Sequence, residues 1–234
     1  MVPSSVIQAN LESVRRRIAA AAERSGRAPG SVRLVAVTNT AGLDEIRALH
    51  DLGVRDFGES RVLEALRRIE ALKGLGARWH MIGHIQTNKA NKAIGAFDLI
   101  HSLDSLRLAQ ALEAVAARSE VDVSALIEVN VSGEATKGGF APGDLGPALE
   151  EIGRMKSLRV DGLMTLAPIT ADSEQTRPVF AQLRALRDRF AHAAPGIELR
   201  LLSMGMTQDF EVAIEEGADL VRVGSALFRE TGIP

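Results

Sequence analysis

The first stretch of the chain carries apolar residues at the spacing of one helix face. The positions that share this face are Val6, Leu11, Val14, Ile18 and Ala22. Gly26 and the pair Pro29-Gly30 come next, and residues of these types commonly end helices. The pattern therefore predicts a helix over Ser5–Ser25.

Beyond that helix, short apolar runs alternate with amphipathic stretches along the rest of the chain. The predicted strands are Val32–Thr38, Val54–Phe57, Arg78–Ile82, Leu99–Ser102, Ala125–Val131, Val160–Leu166, Glu198–Leu202 and Leu220–Val223. The predicted helices between them are Leu43–Leu52, Arg61–Leu72, Asn88–Ile94, Ser105–Ala117, Asp144–Met155, Ser173–Ala193 and Thr207–Glu216. Strands that alternate with helices form parallel βαβ units, and eight such units close into a barrel. The pattern predicts an α/β fold, namely a single-domain (β/α)8 TIM barrel with an extra N-terminal helix, over residues 1–234.

A doubly wound open sheet is the alternative fold, and it usually has fewer strands. The first loop reads Thr38-Asn39-Thr40-Ala41-Gly42 and lacks the G-x-G-x-x-G pattern that binds dinucleotides in such sheets. No linker or low-complexity segment divides the chain, which favours one domain.

Composition narrows the chemistry that this chain can perform. Its 234 residues suit one barrel, and a hydrophobic content of 46% is enough for a sizeable core. The formal net charge of -2 argues against a nucleic-acid binder, which needs a basic face. The chain has no cysteine and no tyrosine, so thiolate chemistry, disulfides and phenolic acid–base chemistry are excluded. No run is apolar enough to span a membrane and no signal peptide is evident, so we expect a cytoplasmic protein.

The residues after strands seven and eight have the character of a phosphate site. Ser203-Met204-Gly205-Met206-Thr207 and Gly224-Ser225 are rich in small residues, which let backbone N–H groups approach a phosphate closely. Barrels frequently bind phosphate at these two loops. The alternative is that the glycines only serve the turns.

Arg222 is a charged residue inside an otherwise apolar strand. Because side chains alternate along a strand, it points away from the side taken by Val221 and Val223. An arginine facing the barrel interior needs a partner, since burying an unpaired charge is costly. That partner is either a ligand in the barrel mouth or a carboxylate such as Glu59 or Glu128.

Several segments, taken together and in order, resemble the pyridoxal phosphate homeostasis family, also called the YggS or PROSC family. The matching segments are Leu34–Thr38, Arg55–Glu59, Trp79–Lys89, His101–Asp104, Glu128–Glu134, Gly162–Pro168, Leu202–Asp209 and Val221–Gly224. The resemblance covers nearly the whole chain. It implies a barrel similar to the N-terminal domain of alanine racemase that binds pyridoxal 5'-phosphate (PLP), without an established catalytic activity. The implied role is to buffer the cofactor or deliver it to PLP-dependent apoenzymes, as a monomer or a weak dimer.

The resemblance also implies roles for individual residues. Arg222 would face the pyridine nitrogen of PLP. The residues implied to hold the phosphate are Ser203, Gly205, Gly224 and Ser225, and those implied to line the pocket walls are His84, Met164, Met204 and Met206.

The chain departs from the family pattern at two positions. Asn39 replaces the lysine that forms the Schiff base, and Ser60 replaces an asparagine. An amide nitrogen is delocalised and does not attack an aldehyde, so we expect non-covalent binding of PLP, weaker than in a lysine-bearing relative. Phosphate or sulfate can occupy the same site. The asparagine is either a natural divergence or an introduced change, and takeover by Lys89 or Lys137, which we expect at the surface, ranks last.

Three enzyme classes are weighed against a binding protein. A racemase would need a lysine and a tyrosine, and this chain offers neither at the expected places. A phosphate-binding barrel enzyme would use Glu59 or Glu128 as a base. A metal enzyme would use His80 and His84, which are four residues apart but straddle a strand end, so we expect no convergence.

Overall fold

In the computed structural model, which describes residues 2–191 and 197–229, eight parallel strands close into a barrel in chain order. The strands are β1 Arg33–Val37, β2 Asp56–Glu59, β3 Arg78–Met81, β4 Leu99–Leu103, β5 Val123–Glu128, β6 Leu158–Met164, β7 Leu201–Ser203 and β8 Leu220–Val223. β8 pairs with β1 and completes the ring. The predicted (β/α)8 barrel is thus confirmed.

Helices cover the outside of this ring and follow the strands in turn. They are α1 Ser4–Arg24, α2 Leu43–Asp51, α3 Val62–Ala71, α4 Ala90–Ala93, α5 Leu106–Ser119, α6 Leu145–Ile152, α7 Arg177–Phe190, α8 Phe210–Glu215 and α9 Ser225–Phe228. Short 3-10 turns at Thr87–Lys89 and Ser173–Thr176 precede α4 and α7. The predicted leading helix is confirmed as α1, and the predicted end of α7 at Ala193 lies outside the described residues.

Three boundaries differ from the prediction in ways that affect the site. β2 extends to Glu59 and β7 extends to Ser203, so both residues lie in strands rather than in loops. α8 begins at Phe210 instead of Thr207. The Asp209 carboxylate accepts the backbone N–H of Met206 at 2.6 Å, and this bond holds the preceding residues in a turn.

The barrel encloses a small apolar core that is separate from the larger layer between strands and helices. This interior core consists of Val35, Leu99, Leu126, Met164 and Leu220. Alternation along β4 and β8 places His101 on the side of Leu99, and Arg222 on the side of Leu220. The interior is therefore apolar in part only, and its remaining positions hold buried polar side chains.

α1 covers the seam where the last elements of the chain meet the first. It packs against α2, α8 and α9. The buried Asn10 amide donates to the carbonyl of Leu227 within α9 at 3.2 Å and to the carbonyl of Arg229, just beyond α9, at 3.0 Å. In the described part of the chain, none of these helices combines the length and apolar character that a bilayer crossing requires.

Candidate functional site

Asn39 and Ser60, the two positions expected to depart from the pattern that the chain resembles, are bonded to each other. The Asn39 Nδ2 donates to the Ser60 hydroxyl at 2.9 Å, and the Ser60 backbone N–H donates to the Asn39 Oδ1 at 2.7 Å. These bonds link the loops that follow β1 and β2 at the carboxyl-terminal mouth of the barrel. The amide at the position of the expected lysine is therefore fixed in place by its neighbour.

Below this pair, a buried carboxylate supports the loop that carries Asn39. Glu59 is fully buried and accepts from the Thr38 hydroxyl at 2.5 Å and from the Arg68 guanidinium at 2.7 Å. Arg68 also donates to the Asn39 carbonyl at 3.0 Å. Burial raises the pKa of Glu59, although the Thr38 and Arg68 bonds oppose that rise. Glu59 is thus a structural brace whose oxygens are already occupied.

Arg222 lies inside the barrel, only 3% exposed. Its Nη1 donates to the Ser203 hydroxyl at 2.5 Å, and its Nη2 donates to the Thr165 carbonyl at 2.9 Å. The alternative of an ion pair with Glu59 or Glu128 is wrong, since no described carboxylate lies within ion-pair distance of this guanidinium. Burial lowers the pKa of Arg222 to about 10, against the attraction of Asp209 and Glu128, so it is charged at neutral pH.

The loops after β7 and β8 lie side by side at the mouth. Gly205 has φ +88°, which an L side chain rarely adopts. The Gly224 N–H points to the Thr207 hydroxyl at 3.4 Å, and Ser225 begins α9, whose first N–H groups have no intrahelical acceptor. Thr207, Ser225 and Met206 also border a cavity of about 230 Å³ with the loop that follows β6.

Four residues expected at the pocket lie in different surroundings. Ser203 is buried at the end of β7, where its hydroxyl contacts Arg222 and His101. Met204 is fully buried in the layer between strands and helices rather than in a pocket wall. Met164 does lie inside the barrel, level with Ser203 in the β6–β7 pairing. The His84 side chain is 68% exposed, and its Nδ1 bonds the Asp104 carboxylate at 2.5 Å.

The two lysines weighed as replacements for the tether are less exposed than expected. Lys137 contacts the Glu134 carboxylate and donates to the Leu166 carbonyl at 3.2 Å, with one-fifth of its side chain exposed. Lys89 is partly buried and borders a surface cavity together with Ser60 and His84. Neither lysine therefore projects freely into solvent.

Sequence reasoning missed His101 and Thr165, which hold Arg222 directly or through Ser203. His101 is polar within an apolar strand, the same signal that singled out Arg222. Thr165 acts through its carbonyl, so no side-chain pattern could reveal it. His80 also lies in the interior, bonded to Asp56 and His101, and no set of three potential metal ligands converges in the part of the chain that the structure describes.

Comparisons with known proteins agree with this architecture. A family model described as "Alanine racemase, N-terminal domain" matches residues 9–231. A pyridoxal phosphate homeostasis protein of Aquifex aeolicus is 43% identical over 220 residues, which cover 94% of this chain and 96% of that protein. The one from Pseudomonas aeruginosa is 40% identical over 232 residues, covering 98% and 99%. This chain belongs to the pyridoxal phosphate homeostasis protein family.

Solved structures of similar proteins include one with the cofactor. PipY of Synechococcus elongatus, a structure with PLP bound, is 34% identical, has a TM-score of 0.83, and is covered over 95% of this chain and 100% of its own. An alanine racemase of Clostridium difficile is 15% identical with a TM-score of 0.76 over 98% of this chain and 57% of its own. The racemase likeness shows that this chain shares its barrel fold, and nothing about activity.

Proposed function

We propose that this chain binds PLP reversibly at the carboxyl-terminal mouth, without a covalent bond, and serves intracellular PLP homeostasis. The observation that carries the proposal is the contrast between Asn39 and Arg222. The position of the tether holds an amide already bonded to Ser60, whereas the buried arginine expected at the ring nitrogen is present and charged. The homologous PipY, whose structure has PLP bound, supports PLP as the ligand.

The residues at the mouth fit the chemistry of the cofactor. A phosphate would be held by backbone N–H groups of the Gly205 and Gly224 loops and by the hydroxyl groups of Ser225 and Thr207. Their small residues are required there, because a Cβ at Gly224 would lie 3.2 Å from Val37 Cβ and one at Gly205 would lie 2.6 Å from Ala213 Cβ. We do not assign the Ser203 hydroxyl to the phosphate, since Arg222 and His101 engage it.

Arg222 determines how the ring would be held. PLP, when bound, offers an aldehyde that combines with amines. A guanidinium facing the ring nitrogen keeps that nitrogen unprotonated, because two positive charges repel strongly in a site of low dielectric constant. A ring held this way withdraws electrons weakly, which suits a carrier better than a catalyst. A cytoplasmic monomer or weak dimer that passes PLP to apoenzymes is part of this proposal.

A second candidate function is favoured by one observation at Glu128. This carboxylate is 7% exposed at the end of β5, and burial, with repulsion from Asp104, raises its pKa to about 7. A group that titrates near neutral pH is suited to general acid–base chemistry. An enzyme acting on a phosphorylated substrate would use Glu128, not the braced Glu59.

The substitution Asn39→Lys tests whether a missing amine is what prevents covalent attachment. We expect the unmodified chain to bind PLP in a spectral titration but to show no added mass after borohydride reduction. Asn39→Lys places an amine at the end of β1, so reduction should fix one PLP group at position 39, read by mass spectrometry of peptides. Lysine also removes the acceptor for the Ser60 backbone N–H, so the stability of the variant is measured beside its labelling.

Asn39→Gln is the matched control, since it changes the side chain but supplies no amine. It should stay unlabelled. A reduced adduct on Lys89 or Lys137 of the unmodified chain would show a covalent tether elsewhere and contradict the non-covalent claim. Equal PLP affinity in Arg222→Met would contradict the assignment of Arg222 to the ring.

A further inference from the structure

A continuous line of buried hydrogen bonds runs through the barrel from one mouth to the other. At the amino-terminal mouth, Asp56 Oδ1 contacts His80 Nε2 at 3.0 Å. His80 Nδ1 contacts His101 Nε2 at 2.9 Å, and His101 Nδ1 contacts the Ser203 hydroxyl at 2.8 Å. The Ser203 hydroxyl in turn accepts from Arg222 at 2.5 Å. All five residues are less than a tenth exposed.

The chemistry of the two ends, together with two neutral imidazoles, fixes the position of every proton in this line. Asp56 also accepts two bonds from Arg78, at 2.8 and 2.6 Å, so it is ionised and accepts from His80 as well. Burial alone would raise the pKa of Asp56, but the bonds from His80 and Arg78 outweigh it and hold that pKa well below its usual range.

If both imidazoles are neutral, as the relay requires, only one arrangement fits these contacts, whereas a cationic His80 would donate to both Asp56 and His101. A neutral His80 that donates through Nε2 must accept at Nδ1. His101 therefore donates through Nε2 and accepts at Nδ1 from the Ser203 hydroxyl. Burial, with the positive charge of Arg222 acting in the same direction, lowers the pKa of His101 well below its usual value, which keeps that ring neutral. Every donor in the line points toward Asp56.

Because the Ser203 hydroxyl proton is donated to His101, the Ser203 oxygen can only accept a bond from Arg222. This matters because Arg222 is a pure donor and has no carboxylate partner within reach in the described chain. A hydroxyl free to rotate could turn its own proton toward the guanidinium, and the contact would then be repulsive. Arg78 already neutralises Asp56, so the line supplies orientation to Arg222 and no net charge.

We propose that Asp56, His80 and His101 form a buried relay that orients Ser203 as an obligatory acceptor and so positions Arg222 for its ligand. The relay makes His101 and Asp56 positioning residues, with Asp56 acting from the opposite mouth of the barrel. Only the last step, the effect on a ligand, rests on the proposed binding of PLP.

The first test reads the tautomers directly in the ligand-free protein. Long-range proton–nitrogen NMR of nitrogen-15-labelled imidazoles should show His80 and His101 as neutral rings protonated at Nε2 at neutral pH. His84, exposed and bonded to Asp104 outside the relay, is the internal reference. A cationic ring at either buried position, or a proton on Nδ1, would overturn the relay whether or not the protein binds PLP.

The second test compares two identical substitutions at the amino-terminal mouth. Asp56→Asn replaces the anion with a group that both donates and accepts, so His101 should populate a second tautomer and PLP affinity should fall by about fivefold, as expected when one bond to a charged donor is weakened. Asp161→Asn is the control, because Asp161 is also buried and paired with Arg159 and Arg200 but does not touch His80. This control should leave the His101 tautomer unchanged and should change the affinity for PLP by less than about twofold.

The outcomes separate the relay from the proposed function. An unchanged His101 signal and unchanged affinity in folded Asp56→Asn would overturn the relay. Absence of PLP binding in the unmodified chain would remove the proposed function, while the two tautomers would still decide the relay. Should Asp56→Asn not fold, the tautomers of the unmodified chain decide it alone.

Discussion

A lysine at position 39 would differ from Asn39 in its hydrogen bonds as well as in its reactivity toward an aldehyde. The amide offers an acceptor and a donor side by side, and Ser60 presents a matching N–H and hydroxyl. A lysine cannot accept, and an asparagine at position 60 would not present this hydroxyl. Asn39 and Ser60 are thus matched to each other, and replacing only one of them leaves a polar group at the mouth without its partner.

Glu128 gives a prediction at the scale of a single titrating group. Its pKa in the folded chain, about 7, lies above the ordinary glutamate value, so the folded state binds the proton more tightly than the unfolded state. Stability should therefore fall as pH rises from about 4.5 through about 7. Glu128→Gln removes the charge, and at pH 8 it should raise the free energy of unfolding by up to about 3 kcal/mol, with little effect near pH 4.5.

Urea unfolding of both proteins at several pH values measures this difference. Glu150→Gln is the matched control, because Glu150 is exposed on α6 and should give no such slope. If Glu128→Gln and the unmodified chain lose stability in parallel between pH 5 and 8, another group causes the loss and Glu128 is not the neutral-range acid of the mouth.

At the scale of the elements, β6 and β7 approach each other so closely that only glycine fits between them. A Cβ at Gly162 would lie 1.9 Å from the Leu201 carbonyl oxygen, which is backbone and cannot move aside. Gly162→Ala should therefore spread the strand pair and cost roughly 3 kcal/mol or more of stability. Thermal and urea unfolding would measure the loss.

Gly143→Ala provides the comparison, because a Cβ there meets nothing within 4 Å. Since the β6–β7 pairing aligns Met164 with Ser203, the damaged pair should also weaken PLP binding in any Gly162→Ala that remains folded. Equal stability of the two alanine variants would mean that the strands do not approach as described.

The sequence predicts these elements well but places their ends poorly, and the misplaced ends fall at the site. Apolar alternation identifies all eight strands, because it reports burial on the two faces of the barrel wall. It cannot place Glu59 or Ser203 inside their strands, since both are polar and look like loop residues. Their burial depends on partners distant in sequence, namely Arg68 for Glu59, and His101 and Arg222 for Ser203.

Arg222 shows how far pattern alone can go at this scale. Its place in an apolar strand indicated that it faces away from Val221 and Val223, and the structure shows that this side is the barrel interior. Its acceptors could not be derived in the same way. One is the backbone carbonyl of Thr165, which directly follows β6, and the other is the Ser203 hydroxyl, whose orientation depends on the His101 ring. Family resemblance supplied the expected ligand, and only the three-dimensional arrangement supplied the support behind it.

At the scale of the whole molecule, the loop proposed to hold the phosphate depends on a helix from the opposite end of the chain. α9 begins at Ser225, directly after Gly224, and is only one turn long. A helix this short has little stability of its own. The amide of Asn10 in α1 binds the carbonyls of Leu227 and Arg229, so α1 holds the end of α9 in place.

Asn10→Ala should therefore affect stability and ligand binding together. Losing both bonds leaves two carbonyls without this donor, which should lower the free energy of unfolding by roughly 1–3 kcal/mol. Because the N–H groups at the start of α9 are expected to hold the phosphate, affinity for PLP and for inorganic phosphate should fall in the same variant.

Gln8→Ala is the control, since Gln8 lies on the same helix but bonds only the exposed Glu12. Weaker phosphate binding without loss of stability would fit a local role of Asn10, whereas loss of stability with unchanged phosphate binding would show that α9 does not carry the phosphate.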